Sequence, residues 1–144
     1  MTDFVKREEF ILKLSRKYEE FKGLKPDEIF DSGLKDLWLE SEDLIFRDKF
    51  LERRNAARIV HEFLKRVLKE PDEDDISDAK TLKDLYDCHV CTAHIAQVYT
   101  KRIMGEKKKN VFGLTDHVNK TEATDIVNKV YSKENREERQ KILC

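Results

Sequence analysis

Seven apolar residues between Ala56 and Leu68 recur at three- and four-residue spacing: Ala56, Ala57, Val60, Phe63, Leu64, Val67 and Leu68. That is the period of an α-helix with one buried face, whereas a half-buried strand alternates every second residue. The stripe predicts a long helix over about 52–70, stopped by Pro71, because proline disfavours helix at the residue before it. The same period returns in Phe10, Ile11, Leu14, Tyr18 and Phe21, predicting a helix over about 5–21. It returns again in Ile95, Val98, Tyr99 and Ile103, over about 91–104, and in Ala123, Ile126, Val127, Val130 and Tyr131, from about Asn119 onward.

The punctuation between these stripes suits helices. Asp3 is the expected N-cap of the first, and Gly23 followed by Leu24 reads as a left-handed C-cap. Pro26 suits the first turn of a short helix that Gly33 ends. Residues 34–50 are less periodic, and Leu37, Trp38, Leu39, Leu44, Ile45 and Phe46 are expected to lie over the core as short helical turns. Gly105 is expected to end the helix that begins near Cys91, with Val111, Phe112 and Leu114 tucked in from the loop that follows. Asn119 and Glu122 form a capping-box-like pair, and the charged stretch 132–141 either extends the last helix or frays. The predicted core is Val60, Phe63, Leu64, Val67, Ile95, Val98, Tyr99, Ile126, Val127 and Val130.

Four glycines and two prolines in 144 residues are too few for the tight turns of a sandwich or barrel, so the expected fold class is all-α. The length suits a single domain, 1–144, with an acidic loop at 71–80 between two halves. Charged residues make up 41%, which suits thin apolar stripes backed by broad charged faces. The formal net charge of −1 gives no pull toward nucleic acid. No apolar run approaches the roughly 20 residues of a membrane helix, so no membrane insertion is expected. The Lys107–Lys109 and Asp72–Asp75 clusters read as solvated loops. An odd count of three cysteines does not look like a secreted disulfide framework. The expected location is cytoplasmic if Met1 is the native start, and the cell surface if an export signal has been removed.

The chain also repeats itself weakly. Leu34-Lys35-Asp36-Leu37-Trp38 returns as Leu82-Lys83-Asp84-Leu85-Tyr86. Three helix starts share a pattern: Val5-Lys6-Arg7-Glu8-Glu9-Phe10, Leu51-Glu52-Arg53-Arg54-Asn55-Ala56 and Val118-Asn119-Lys120-Thr121-Glu122-Ala123. Each has an apolar residue, a base two positions on, an acid or amide two further, then an apolar residue. Helix-start chemistry by itself accounts for such a pattern, through a hydrophobic staple and an acid in the first turn. A set of degenerate repeats, about 5–23, 34–70 and 82–131, accounts for it equally.

These starts resemble the Thr-Arg-Ala-Glu helix start of S-layer homology domains, with the likeness strongest from Leu82 to Tyr131. The resemblance implies a domain of helix-pair repeats that associate in threes and bind pyruvylated cell-wall polysaccharide in the grooves between them. It places Arg7, Arg53 and Lys120 at the motif's basic position, and Glu9 and Glu122 at its acidic one. Asn55 stands where the middle copy should carry the acid, and Lys6, Glu52 and Asn119 stand in place of the threonine.

Other candidate chemistry centres on Cys88, Cys91 and His94, spaced three apart. Thiolate and imidazole suit zinc, but a closed site wants four ligands, and Asp87, His117 or Cys144 would have to complete it. Cys88-x-x-Cys91 also allows a redox dithiol, while buried cysteines packed as small hydrophobes remain the bland alternative. No motif brings a base among His61, His89, His94 and His117 to a nucleophile, so no enzyme activity is expected. No glycine-rich phosphate loop or haem-attachment pattern is present, and no cofactor is expected. His61 reads as a structural residue at a helix edge, and Glu40, Glu42 and Asp43 as a local acidic group. The leading expectation is a non-enzymatic binding or interaction module, presenting Arg7, Arg53, Lys120 and Trp38 to an anionic polysaccharide or a protein partner. The alternative is a cysteine-dependent metal-binding or redox-sensing protein acting through Cys88, Cys91 and His94.

Overall fold

The computed structural model describes residues 3–137, and these are predominantly helical. Six α-helices lie among the described residues: α1 (Arg7–Ser15), α2 (Pro26–Lys35), α3 (Ser41–Ile45), α4 (Arg53–Arg66), α5 (Thr92–Thr100) and α6 (Lys120–Tyr131). The only β-type pairings among them are isolated bridges, so no strand forms there and the all-α expectation stands. No helix among the described residues is long and apolar enough to cross a membrane.

Local chemistry starts several of these helices. In α1, α2 and α3 the acid at the third helical position accepts the cap residue's own N–H. Lys6 N–H bonds Glu9 Oε1 at 2.9 Å, Lys25 N–H bonds Glu28 Oε1 at 2.8 Å, and Glu40 N–H bonds Asp43 Oδ2 at 2.8 Å. The first cap is therefore Lys6 rather than Asp3. In α6 the expected cap is present, with Asn119 Oδ1 accepting Glu122 N–H at 2.8 Å.

The helix ends depart further from expectation. α1 stops at Ser15, whose hydroxyl takes the Ile11 carbonyl at 2.7 Å and weakens continuation of the helical ladder. The chain then turns, and Phe21 stacks on Trp38 with ring centroids 6.2 Å apart. Gly23 does adopt the left-handed conformation, with φ of 85°. Gly33 does not end α2. It lies inside the helix, where a Cβ would stand 2.4 Å from Leu39 Cδ1, so the glycine is what admits Leu39. Three helices close instead through non-glycine left-handed residues: Leu37 after α2, Lys69 after α4 and Arg102 after α5. Glu70 N–H bonds the Leu64 carbonyl at 2.8 Å and Met104 N–H the Val98 carbonyl at 3.2 Å, so both chains have turned before Pro71 and Gly105 are reached.

Every residue of the predicted core is buried except Val67, which packs partly buried against it. Phe63 lies at the centre of an aromatic group, edge-on to Trp38 at 4.9 Å and near Phe21, Tyr18 and Tyr131. From residues 34–50 only Trp38 and Leu39 enter the core fully, while Leu37, Leu44, Ile45 and Phe46 are exposed. The short α3 is held by charge instead, as described below.

The three helix starts that share a sequence pattern meet. Leu51 N–H bonds Val5 O at 3.0 Å, Val118 N–H bonds Leu51 O at 2.9 Å, and Val5 N–H bonds Val118 O at 3.0 Å, closing a ring. A second set runs in the opposite sense, from Arg7 N–H to Lys49 O (2.9 Å), Arg53 N–H to Asp116 O (2.8 Å) and Lys120 N–H to Asp3 O (2.8 Å). Val5, Leu51 and Val118 are all buried at this junction. The residues just before them, Phe4, Phe50 and His117, form a triangle of rings with centroids 5.2–6.0 Å apart.

Past α6, part of the charged stretch forms a short 3-10 turn, Lys133–Glu137, and the rest lies outside the described residues. Arg136 ties the turn back. Its Nη1 and Nη2 reach Glu70 at 2.8 and 3.0 Å, and Lys101 Nζ reaches the same carboxylate at 2.9 Å.

Two expected outcomes follow from this packing. Phe63→Ala should lower unfolding free energy by about 3–5 kcal/mol, the range for deleting a buried aromatic ring, as read by denaturant unfolding. Burial alone would raise the Glu70 pKa, but the hydrogen bonds from Arg136 and Lys101 outweigh it and hold the carboxyl below its ordinary 4.5. A depressed carboxylate contributes stability that is present above its ordinary pKa and lost as pH falls through the folded value. Glu70→Gln should therefore be less stable than the parent at pH 7, and the gap should shrink as pH is taken below about 4.5 in paired urea melts.

Candidate functional site

The basic positions of the three helix starts have different fates. Arg7 is buried, and its Nη1 bonds Asp43 Oδ1 at 2.9 Å. Asp43 is fully buried and also accepts from Arg58, through Nη2 to Oδ1 at 2.6 Å and Nη1 to Oδ2 at 3.0 Å. Two guanidinium groups on one carboxylate anchor α3 to α1 and α4. They also satisfy a charge that would otherwise be costly to bury. Arg53 is buried too, with its Nε on the Phe112 carbonyl at 2.9 Å and its guanidinium 4.6 Å from the centre of the Phe112 ring. It also contacts the Gly105 carbonyl and pairs with Glu122. Lys120 alone of the three is exposed, with Asp3 3.7 Å away.

Trp38 is wholly buried among Phe21 and Phe63 and offers no surface to a ligand, and its indole N–H has no acceptor among the described residues. The structure therefore does not gather Arg7, Arg53, Lys120 and Trp38 into one place. It gathers Lys120 with residues of α1. A cleft of about 440 Å³ is lined by Val5, Glu9, Leu12, Lys13, Arg16 and Lys120. It holds three cations and one carboxylate, and that carboxylate already accepts the Lys6 N–H. Lys13, in the last turn of α1, and Arg16, its C-cap, sit three apart opposite the buried stripe, a spacing legible in the sequence once the helix is placed.

A second cleft of similar size opens between α4 and the start of α5, lined by Glu40, Glu42, Arg54, Asn55, Arg58, Cys88, Val90, Cys91 and His94. Here Cys88 and Cys91 are joined by a disulfide, so neither sulfur stands as a free thiolate ligand beside His94. Cys91 caps α5, and the loop at its tip is exposed at Tyr86, His89 and Val90. Thr92 anchors the loop from inside, its hydroxyl donating to the Leu85 carbonyl at 2.9 Å and the Cys88 carbonyl at 3.0 Å. Of the residues that could have completed a cysteine site, Asp87 is exposed on this loop, His117 belongs to the aromatic triangle, and Cys144 lies outside the described residues.

His61 is not at the edge of its helix. It is 3% exposed, with Nδ1 2.8 Å from Nδ1 of His94 and Nε2 2.7 Å from Asp72 Oδ1. Burial first, and then the neighbouring His61 ring, push His94 down to a pKa of about 4. Its imidazole is therefore neutral at neutral pH. Asp72, read from the sequence as part of a solvated acidic run, is the partner of a buried imidazole. The two histidines are 33 positions apart, with Asp72 between them, so no local spacing announces the set.

A comparison with protein-family models found no match to this chain, and comparisons with curated proteins and with solved structures found none either.

Proposed function

We propose that this protein is a non-enzymatic binding module that holds an anionic polymer in the cleft between α1 and the start of α6, in the manner of S-layer homology domains. The observation that carries the reading is the cleft's composition: Lys13 and Arg16 from the C-terminal end of α1 and Lys120 from the start of α6 converge there, against a single carboxylate, Glu9. The sequence resemblance supports it, because Lys120 stands at the motif's basic position and Glu9 at its acidic one. The closed ring of backbone hydrogen bonds supports it as well, since it sets three similar helix starts around one junction. In this reading the helix-pair repeats are degenerate copies, and Arg7 and Arg53 have become fastenings between them. Lysine and arginine in an open cleft favour a polymer bearing carboxylate or ketal-linked pyruvate groups, since charge-assisted hydrogen bonds to such oxygens are the strong ones. A protein partner with an acidic surface would use the same three side chains.

The test is equilibrium binding of the full chain to pyruvylated cell-wall polysaccharide, with the depyruvylated polymer as control. Binding should weaken with salt, and the triple variant Lys13→Ala, Arg16→Ala, Lys120→Ala should lose at least about tenfold in affinity, roughly 1.4 kcal/mol. These are surface side chains, so the fold should be unaffected. Equal affinity for parent and triple variant would remove the proposal.

The Cys88–Cys91 disulfide favours a second reading, a redox-responsive dithiol. The bridge spans only three positions, and closing so small a ring stabilises a fold by about 2 kcal/mol on chain entropy alone. A thiolate at the cap of α5 would be favoured by the helix N-terminus. Exchange with an external dithiol would convert the disulfide to two thiols while that dithiol becomes a disulfide. On this reading the reduction potential, measured against glutathione buffers, should lie above about −300 mV, and the reduced protein should stay folded. A lower potential would mark a structural bridge.

A further inference from the structure

His61, Glu62 and His94 each offer one ligating atom, and these atoms lie within 4.8 Å of one another. His61 comes from the middle of α4 and His94 from the first turn of α5. We propose that the three form a binding site for a divalent transition-metal ion of the zinc class, with Asp72 as the positioning residue for His61. The site uses neither cysteine and stands apart from both readings above.

The tautomers carry the argument. Asp72 Oδ1 lies 2.7 Å from His61 Nε2, and an ionised carboxylate can only accept, so that nitrogen carries the proton. The nitrogen left to serve as a ligand is then Nδ1, which faces Nδ1 of His94 at 2.8 Å. Two nitrogens that close need either a proton or a cation between them. With the cation, His94 carries its proton on Nε2 and both Nδ1 atoms become ligands. A tetrahedral ion with bonds near 2.0–2.1 Å holds its nitrogens roughly 3.3 Å apart, so the rings need to open by about half an ångström.

Glu62 supplies the oxygen. Its Oε2 accepts from Arg66 Nε at 2.6 Å, while Oε1 has only Lys65, 3.9 Å away. Oε1 can therefore turn to the ion while Oε2 keeps its arginine. Glu62 and Asp72 bring two negative charges to offset the ion against Lys65, Arg66 and Arg58 nearby. Two imidazoles and one carboxylate select zinc, cobalt or nickel over magnesium or calcium, which prefer oxygen alone. Three protein ligands leave a fourth position for water. The carboxylate on the far nitrogen of His61 is the usual outer partner of a metal-bound imidazole, holding the ring and raising its basicity.

Zinc(II) titration of the chelator-stripped, disulfide-intact full chain tests this, read by competition with a chromophoric chelator. One zinc per chain is expected. His94→Ala should weaken binding by roughly a hundredfold and Asp72→Asn by about 10–100-fold, while Cys88→Ser with Cys91→Ser should leave it unchanged. Glu62→Gln, which removes a ligand charge without touching the core, is a second variant should His94→Ala fail to fold. Cobalt(II) loading should give a tetrahedral visible spectrum without a thiolate charge-transfer band. Absence of stoichiometric binding, parental affinity in His94→Ala or Glu62→Gln, or loss of binding in the double-serine variant would each overturn the assignment.

Discussion

Three backbone hydrogen bonds among Val5, Leu51 and Val118 are the constraint on which the rest of the arrangement depends. Each of these residues stands just before a helix cap of extended conformation, and each is buried, so its N–H and C=O must find partners inside the protein. No sheet exists among the described residues to supply them. The three segments therefore supply one another, each donating to one neighbour and accepting from the other. A closed cycle leaves none of these groups as an edge, which is how short extended pieces survive in the interior of a helical protein. The second set of bonds, from Arg7, Arg53 and Lys120 to the segment ahead of the neighbouring start, fixes where each helix begins relative to the next.

That junction decides what happens to the charges beside it. A base two positions after each central residue is carried toward the neighbouring start. Where the neighbour offers a carboxylate, the base is consumed: Arg53 pairs with Glu122. Where Asn55 replaces the acid, Arg7 takes Asp43 instead, and Arg58 joins it, so the short α3 is recruited as a fastening. Breaking such a buried set is costly because it strands a charge, which makes these arginines structural whatever their ancestry. Lys120 is shorter of reach and stays in solvent, so the cleft beside it keeps a positive charge.

Much of the candidate chemistry could not be read along the chain. Lys13 and Arg16 were accessible in principle, because their spacing follows directly from a helix whose buried face is already known. Asp43 reads along the chain as one member of a local acidic group, and only the approach of Arg7 and Arg58 from 36 and 15 positions away gives it a buried role. His61, Asp72 and His94 form a set only because α4 and α5 pack against each other. The cysteine spacing was visible, but bonding between the two sulfurs depends on the turn that sets their Cα atoms 5.2 Å apart at the start of α5.

Local sequence carries the helical class, the position of each long helix and the membership of the core, because those depend on local period and on which residues avoid water. It misplaced helix ends at Leu37, Lys69 and Arg102, since left-handed closure by a residue other than glycine is imposed by the packing that follows. Gly33 was misread for the same reason: its role is to make room for Leu39, a contact between residues in different turns. Which charged residues are spent inside and which face solvent is settled by the packing of the helices. Pairing energy depends on distance and burial in three dimensions, and neither is encoded in spacing along the chain.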